Sequence, residues 1–164
     1  MGQNSTPEGK TGKKDPKNAG YLALSAQLCF AAYSTAHAFN RLYRSLLVSL
    51  GLTYPQYLVM LVLWERDGLT VKDIGDRLFL DSGTLTPLLK RLDSAGLITR
   101  TRDPGDERQV LVRLTEAGQA LRKKAEAIPP EVASAAERSP AELKALKDDL
   151  VALRDTLNAH IGTL

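Results

Sequence analysis

The chain has 164 residues, room for one compact domain of the usual ~100–150 residues and a short appendage, which excludes a multidomain enzyme. With 43% hydrophobic and 25% charged residues, the composition is that of a globular protein able to bury a core. The formal net charge of +3 is a weak argument for a nucleic-acid partner: residues 1–18 hold Lys10, Lys13, Lys14 and Lys17 against Glu8 and Asp15, and the rest carries 18 basic and 17 acidic groups.

No apolar run approaches the ~18 residues that cross a bilayer, and the N-terminus lacks the apolar centre of a signal peptide. A soluble cytoplasmic protein without a membrane role is expected. The single cysteine, Cys29, rules out an intrachain disulfide and, with only His37 and His160 beside it, Cys-rich zinc sites. Neither a metal nor a cofactor is expected.

Residues 1–18 have no periodic apolar positions and several breakers, and read as a disordered basic arm, solubilising or touching DNA phosphates. From Tyr21 to Leu50 there is no Gly or Pro, and Leu28, Ala32, Phe39, Tyr43, Leu46 and Leu50 recur at helical spacing. One long amphipathic helix fits, roughly 40 Å long and more than a small domain needs to cover itself, so part of it is expected to pack on another chain. Two helices also fit, with Ser25 capping the second and placing Cys29 within its first turn or so.

Gly51 stops this segment, and Tyr54-Pro55 opens a helix to about Trp64. Thr70 then caps a short helix through Leu78, and after a turn a second helix carries Leu85, Leu88, Leu89 and Leu92 inward before Gly96 ends it. Two short helices joined by a tight turn, with Thr84, Thr86, Lys90 and Arg91 outward on the second, form a helix-turn-helix pattern. Residues 97–102 and 110–114 are strand-forming segments around Asp103-Pro104-Gly105-Asp106-Glu107, the pattern of a β-hairpin wing. A helix from Thr115 runs to Ile128, where Pro129-Pro130 interrupts it. Ser139-Pro140-Ala141-Glu142 opens the last helix, whose stripe is Leu143, Leu146, Leu150, Leu153, Leu157 and Ile161. So regular a stripe at the chain end wants a partner surface, for which the N-terminal helix is the first choice.

The fold class is thus mainly α with a small β-hairpin wing (α+β), a winged helix-turn-helix. Residues 19–164 form one domain, with 52–114 as the winged part and 19–51 and 115–164 as dimerisation helices.

Reading duplex DNA takes short polar and basic groups on a helix that enters the major groove, plus basic groups for the flanking phosphates. Ser82, Thr84, Thr86, Lys90 and Arg91 supply the first set, and Arg100, Arg102 and Arg108 the second. Any one alone reads as a solvated surface; their order along helix, turn, helix and hairpin favours DNA. Residues 81–113 hold six basic and five acidic groups, a modest attraction for one chain. Two chains on two half-sites double it, which points to a homodimer on a pseudo-palindromic operator. Asp106 stands two residues before Arg108, either supporting its guanidinium or forming a plain surface pair.

Cys29 lies among apolar neighbours, the setting of an inert core cysteine. Tyr33 at i+4 also allows its hydroxyl to reach the sulfur, and hydrogen bonding to a thiolate raises its reactivity. Both readings stay open on spacing alone.

The motifs QLCFAAY at 27–33, LTYPQYLVMLVLWE at 52–65, LFLDSGTLTPLLKRLDSAGLITR at 78–100 and DERQVLVRLTEAG at 106–118 together resemble the MarR family of winged helix-turn-helix repressors, in its organic hydroperoxide-resistance (OhrR) branch. The resemblance covers about four-fifths of the chain. It implies a homodimer built from the terminal helices, and a sensor cysteine, here Cys29, that organic hydroperoxides oxidise to a sulfenic acid. It also implies two tyrosines bonded to the sulfur, matched to Tyr33 and Tyr43, and a wing arginine, Arg108, supported by Asp106. Without a second cysteine the chain looks like the one-cysteine type, in which a low-molecular-weight thiol resolves the sulfenic acid or oxidation goes further. Two other classes remain: a MarR-type repressor released by a small aromatic ligand, with Cys29 structural, and a thiol peroxidase, which has no use for a winged helix. A helical dimer with no DNA role is the third.

Overall fold

The structure, a computed structural model, describes residues 20–162, so the arm expected at 1–18 lies outside the described residues. The described residues fall into two units, 20–40 and 41–162. Among the described residues no helix is long and apolar enough to cross a membrane.

In the first unit a 3-10 turn at Leu24–Ala26 precedes α1 (Leu28–Leu46), which continues into the second unit. Ser25 lies inside that turn and caps nothing. The turn closes instead through Gln27, whose N–H donates to Leu24 O and whose side-chain amide donates to the carbonyls of Tyr21 and Ala23. Cys29 is consequently the second residue of α1.

The second unit shows why one helix does not run to Leu50. After Leu46 the chain tightens into a 3-10 turn at Val48–Leu50, and the Leu47 carbonyl accepts from the N–H groups of both Leu50 and Leu52. This brings Leu47, Leu50 and Leu52 into the core, and Gly51 closes the turn at φ +65, a left-handed backbone that glycine takes without cost. α2 (Tyr54–Glu65) starts with Pro55 in its first turn and Gln56 Oε1 accepting from the Thr53 N–H at 2.8 Å. Tyr57, Val59, Met60, Val62, Leu63 and Trp64 bury it nearly all round, so α2 is the central helix on which the rest packs.

Two short helices follow. Thr70 Oγ1 accepts from the Asp73 N–H at 3.0 Å while Asp73 Oδ2 accepts from the Thr70 N–H at 3.2 Å, a reciprocal cap that starts α3 (Val71–Leu78). Asp81 Oδ1 accepts from the Thr84 N–H at 2.8 Å and starts α4 (Ser82–Ser94). The turn between them is tight enough that a Cβ on Gly75 would stand 2.7 Å from Leu80 O. Leu85, Leu89 and Leu92 seat α4 with no exposure at all.

The wing is a three-stranded antiparallel sheet in the order β1-β3-β2, with β1 at Leu69–Thr70, β2 at Ile98–Asp103 and β3 at Asp106–Leu114. Ile98 faces Leu114, Arg102 faces Val110 and Asp103 faces Asp106 across a turn at Pro104-Gly105. The two-residue β1, pairing Leu69 with Val112, is absent from the sequence reading, because a strand this short carries no periodicity.

α5 (Glu116–Ala125) is capped by Thr115, whose hydroxyl accepts from the Gly118 N–H at 3.0 Å and donates to Gly96 O at 2.6 Å. Pro129-Pro130 does not interrupt a helix as expected: the helix ends at Ala125, and the prolines lie in the first turn of α6 (Ile128–Ala135). There their missing N–H groups have no intrahelical partner to lose and their fixed φ suits the helix. α7 (Pro140–Ile161) opens as expected with the Ser139–Glu142 reciprocal cap. Of its apolar stripe Leu143 is half-buried, and Leu146, Leu150, Leu153, Leu157 and Ile161 are exposed in the single chain.

Three cap carboxylates tie the helix starts to pH. The Thr70 hydroxyl and N–H hold Asp73 below its ordinary pKa, the Thr84 N–H and hydroxyl do so for Asp81, and the Ser139 hydroxyl and N–H for Glu142. A carboxylate whose pKa is depressed on folding stabilises the fold above its unfolded value, near ~4, and loses that contribution as pH falls through the folded one. Urea midpoints followed by circular dichroism are therefore expected to be flat from pH 7 to about 5 and to fall below about 4. A chain carrying Asp73→Asn, Asp81→Asn and Glu142→Gln is expected to show a shallower fall; an identical profile would remove the caps as its source.

Candidate nucleic-acid interface and thiol site

The buried leucines of α4 fix which of its side chains point out. Ser82, Thr84, Lys90 and Arg91 are exposed, while Thr86 is half-buried on the side toward the wing. Thr84 is not free to turn: its hydroxyl donates to Asp81 Oδ2 at 3.0 Å, so one carboxylate holds both the main chain and the side chain of this residue.

Strand alternation puts Ile98, Arg100 and Arg102 on one face of β2. Ile98 is buried, Arg100 half-buried and Arg102 exposed, so this face passes from core to solvent along the strand. Arg100 pairs across the ladder with the fully buried Val112, and its Nε is shut off from solvent with no hydrogen-bond partner. It thus faces inward more than the hairpin phosphate contact expected of it. It lines, with Asp73, Asp76, Asp81, Thr86 and Arg108, an open groove of about 840 Å³ between α3, the start of α4 and the wing. The guanidiniums of Arg100 and Arg108 and the ammonium of Lys72 are the groove's attraction for an anion, and its three aspartates restrict where that anion can lie.

Asp106 holds the wing in a way the spacing did not show. Its Oδ1 accepts from the Arg108 main-chain N–H at 3.1 Å and its Oδ2 from Gln109 Nε2 at 3.1 Å. The carboxylate shapes the backbone under Arg108.

In the first unit Cys29 is a free, exposed thiol. Tyr33 is 62% exposed, and its ring stands edge-on to His37 at 4.3 Å between centroids. In the second unit Tyr43 stacks on Tyr54 at 4.3 Å and lies 5.7 Å from Tyr57. Burial pushes the Tyr43 phenol up to about 12, with the Tyr54 and Tyr57 phenols adding to it. Burial also raises Tyr54 and Tyr57. These two join Tyr43 in a cluster that sequence reasoning did not assemble. The signal was the i, i+3 pair in TYPQY.

Each of the three phenols is kept neutral by the fold, so their contribution to stability is intact below the unfolded tyrosine pKa of ~10 and is lost as pH rises toward the folded values. Alkaline titration at 295 nm is expected to show Tyr43, Tyr54 and Tyr57 as a late-ionising group. Tyr43→Phe is expected to remove the latest step; a latest step unchanged in that variant would contradict the cluster.

Among the described residues no group of three His, Cys, Asp or Glu side chains is placed to hold a metal ion. The family model described as transcriptional regulator SarA/Rot matches residues 41–125. The chain is 48% identical over 138 residues to the organic hydroperoxide resistance transcriptional regulator of Bacillus subtilis (strain 168), covering 84% of this chain and 94% of that one. The chain belongs to the MarR-type winged-helix transcriptional regulators. A relative more similar in sequence is the HTH-type transcriptional regulator TtmR of Methylorubrum extorquens (strain PA1), 53% identical over 154 residues, 94% of this chain and 76% of that one. Among solved structures, reduced AbfR bound to DNA, a Staphylococcus epidermidis protein, superposes with a TM-score of 0.73 at 39% identity, over 84% of this chain and 94% of the other. These relatives are named as regulators of transcription, in line with a winged helix and not with an enzyme.

Proposed function

We propose that this MarR-type regulator is a repressor that binds a pseudo-palindromic operator as a homodimer and releases it when an organic hydroperoxide oxidises Cys29. The observation that carries the reading is the exposed lone thiol at the start of α1, in a chain 48% identical to a regulator named for organic hydroperoxide resistance. For DNA, α4 offers Ser82, Thr84, Thr86, Lys90 and Arg91 to the major groove, and Arg102 and Arg108 serve the phosphates, with Arg100 behind them in the groove and Asp106 fixing the wing backbone. The exposed leucines of α7, with α1, supply the dimer surface.

In the chemical step the Cys29 thiolate attacks the terminal peroxide oxygen. The O–O bond breaks, the alkoxide leaves and takes a proton to become an alcohol, and the sulfur becomes a sulfenic acid. A low-molecular-weight thiol then displaces the hydroxyl as water, leaving a mixed disulfide that a second thiol reduces. Tyr33 and, from the second chain of the homodimer, Tyr43 are assigned as hydrogen-bond donors to the sulfur, with Tyr54 and Tyr57 fixing the Tyr43 ring.

The test uses a fluorescein-labelled duplex enriched from a random pool by the reduced protein. Wild type and Cys29→Ser are titrated before and after one equivalent of cumene hydroperoxide, and again after dithiothreitol. Release by wild type alone, reversed by the thiol, is expected. Equal release of both proteins, or of neither, overturns the redox reading and turns attention to a small aromatic inducer.

A further inference from the structure

We infer that Arg154 of the C-terminal helix positions the recognition helix α4 of its own chain, by clamping the ring of Phe79 at the turn between α3 and α4. Phe79 ends α3 at φ +55, ψ +40, a left-handed backbone in which glycine or asparagine is the usual residue. A phenylalanine there is strained, and such strain persists only where its surroundings hold it. The core does not hold it, since the Phe79 ring is 61% exposed. The guanidinium of Arg154 does: it lies 4.5 Å from the ring centroid, at cation–π distance. Its own aim is fixed by Asp155, whose Oδ1 accepts from Arg154 Nε at 2.9 Å and Nη2 at 2.7 Å.

The clamped residue sits two positions before Asp81, the cap that starts α4 and holds Thr84. The turn beneath it has little slack, because Leu80 O closes onto Gly75 and the Leu80 N–H donates to Gly75 O at 3.0 Å. A shift of Phe79 is therefore passed to the first turn of α4, where Ser82 and Thr84 stand. α7 carries the exposed leucine stripe on neighbouring positions, Leu150, Leu153 and Leu157, so the residue that touches the DNA-reading motif lies within the surface proposed to meet the second chain.

This inference rests on the DNA-binding reading, and the experiment separates the two. Operator affinity is measured by anisotropy on the enriched duplex, with thermal midpoint and oligomeric state recorded for each variant. Arg154→Ala is expected to weaken binding roughly tenfold, from two- to fivefold per subunit acting twice. Arg154→Lys, which keeps a cation over the ring, is expected to retain most of the affinity. Phe79→Gly is the sharper variant: it relieves the left-handed strain, so its thermal midpoint holds or rises, yet it is expected to lose as much affinity as Arg154→Ala. The double variant is expected to be no weaker than either single one. Wild-type affinity in Phe79→Gly, or loss in Arg154→Ala that tracks dissociation of the dimer, overturns the clamp. A wild type that enriches no duplex overturns the DNA-binding reading and the clamp with it.

Discussion

Gly118→Ala is expected to destabilise the folded chain by about 3 kcal/mol or more, a large share of the stability of a domain this size. A Cβ at this position would stand 2.0 Å from the carbonyl oxygen of Leu97 and 3.0 Å from its carbon, distances that no relaxed structure holds. Relief requires α5 to move, because both contacts are backbone. Three hydrogen bonds oppose that movement: Trp64 Nε1 to Gly118 O at 2.9 Å, Gly118 N–H to Thr115 Oγ1 at 3.0 Å, and Thr115 Oγ1 to Gly96 O at 2.6 Å. The first is buried, so breaking it leaves the indole N–H unsatisfied inside the protein. Urea unfolding checks the value. A Gly105→Ala control, whose new Cβ meets nothing closer than 3.5 Å, is expected to stay within about 0.5 kcal/mol of wild type. Equal midpoints for the two variants would show that α5 is not pinned against β2.

The second large effect is expected in solution chemistry. One equivalent of organic hydroperoxide is expected to lower the operator affinity of wild type by about two orders of magnitude, within the range in which coupling energies of 1–3 kcal/mol per molecule operate. Cys29→Ser is expected to keep its affinity, since a hydroxyl does not reduce a peroxide. As the chain holds a single cysteine, no internal thiol can trap the sulfenic acid. The course of the reaction then depends on what is dissolved beside it. With a small thiol present the loss is expected to reverse on reduction; with excess peroxide and no thiol, oxidation proceeds to the sulfinic acid and the loss becomes permanent. Mass spectrometry distinguishes the two end states. Reversal by dithiothreitol after prolonged excess peroxide would contradict this course.

Helix starts were legible in the sequence where a side chain caps its own helix. Thr70 and Ser139 each carry an acidic partner three residues on, and both helices begin where that spacing places them. Gly51 and Gly96 ended segments as expected, at φ +65 and +70. Features set by distant contacts were not legible. The end of α1 depends on Leu47 and Leu50 turning into a core made by other elements, and β1 exists only because β3 lies beside it. Pro129-Pro130 carries one local signal with two meanings, and an αR turn at Glu126–Ala127 decides between them. In the candidate site, the polar face of α4 followed from its leucine stripe. The inward face of Arg100 needed the register of β2 on β3, and the tyrosine cluster needed α1 and α2 to meet. Spacing offered Asp106 as a partner of the Arg108 guanidinium; that its carboxylate takes the Arg108 main-chain N–H instead is a matter of angles that spacing does not hold.

The one tryptophan of the chain is committed to a single joint. Its indole is 9% exposed, edge-on to Tyr57 at 6.2 Å and bonded to the first turn of α5. Its emission therefore serves as a built-in optical gauge of the seam between α2 and α5, blue while that seam is shut and red once it opens. Peroxide or DNA changes the colour of this protein only if the disturbance reaches that seam, so intrinsic fluorescence maps how far a signal travels through the fold.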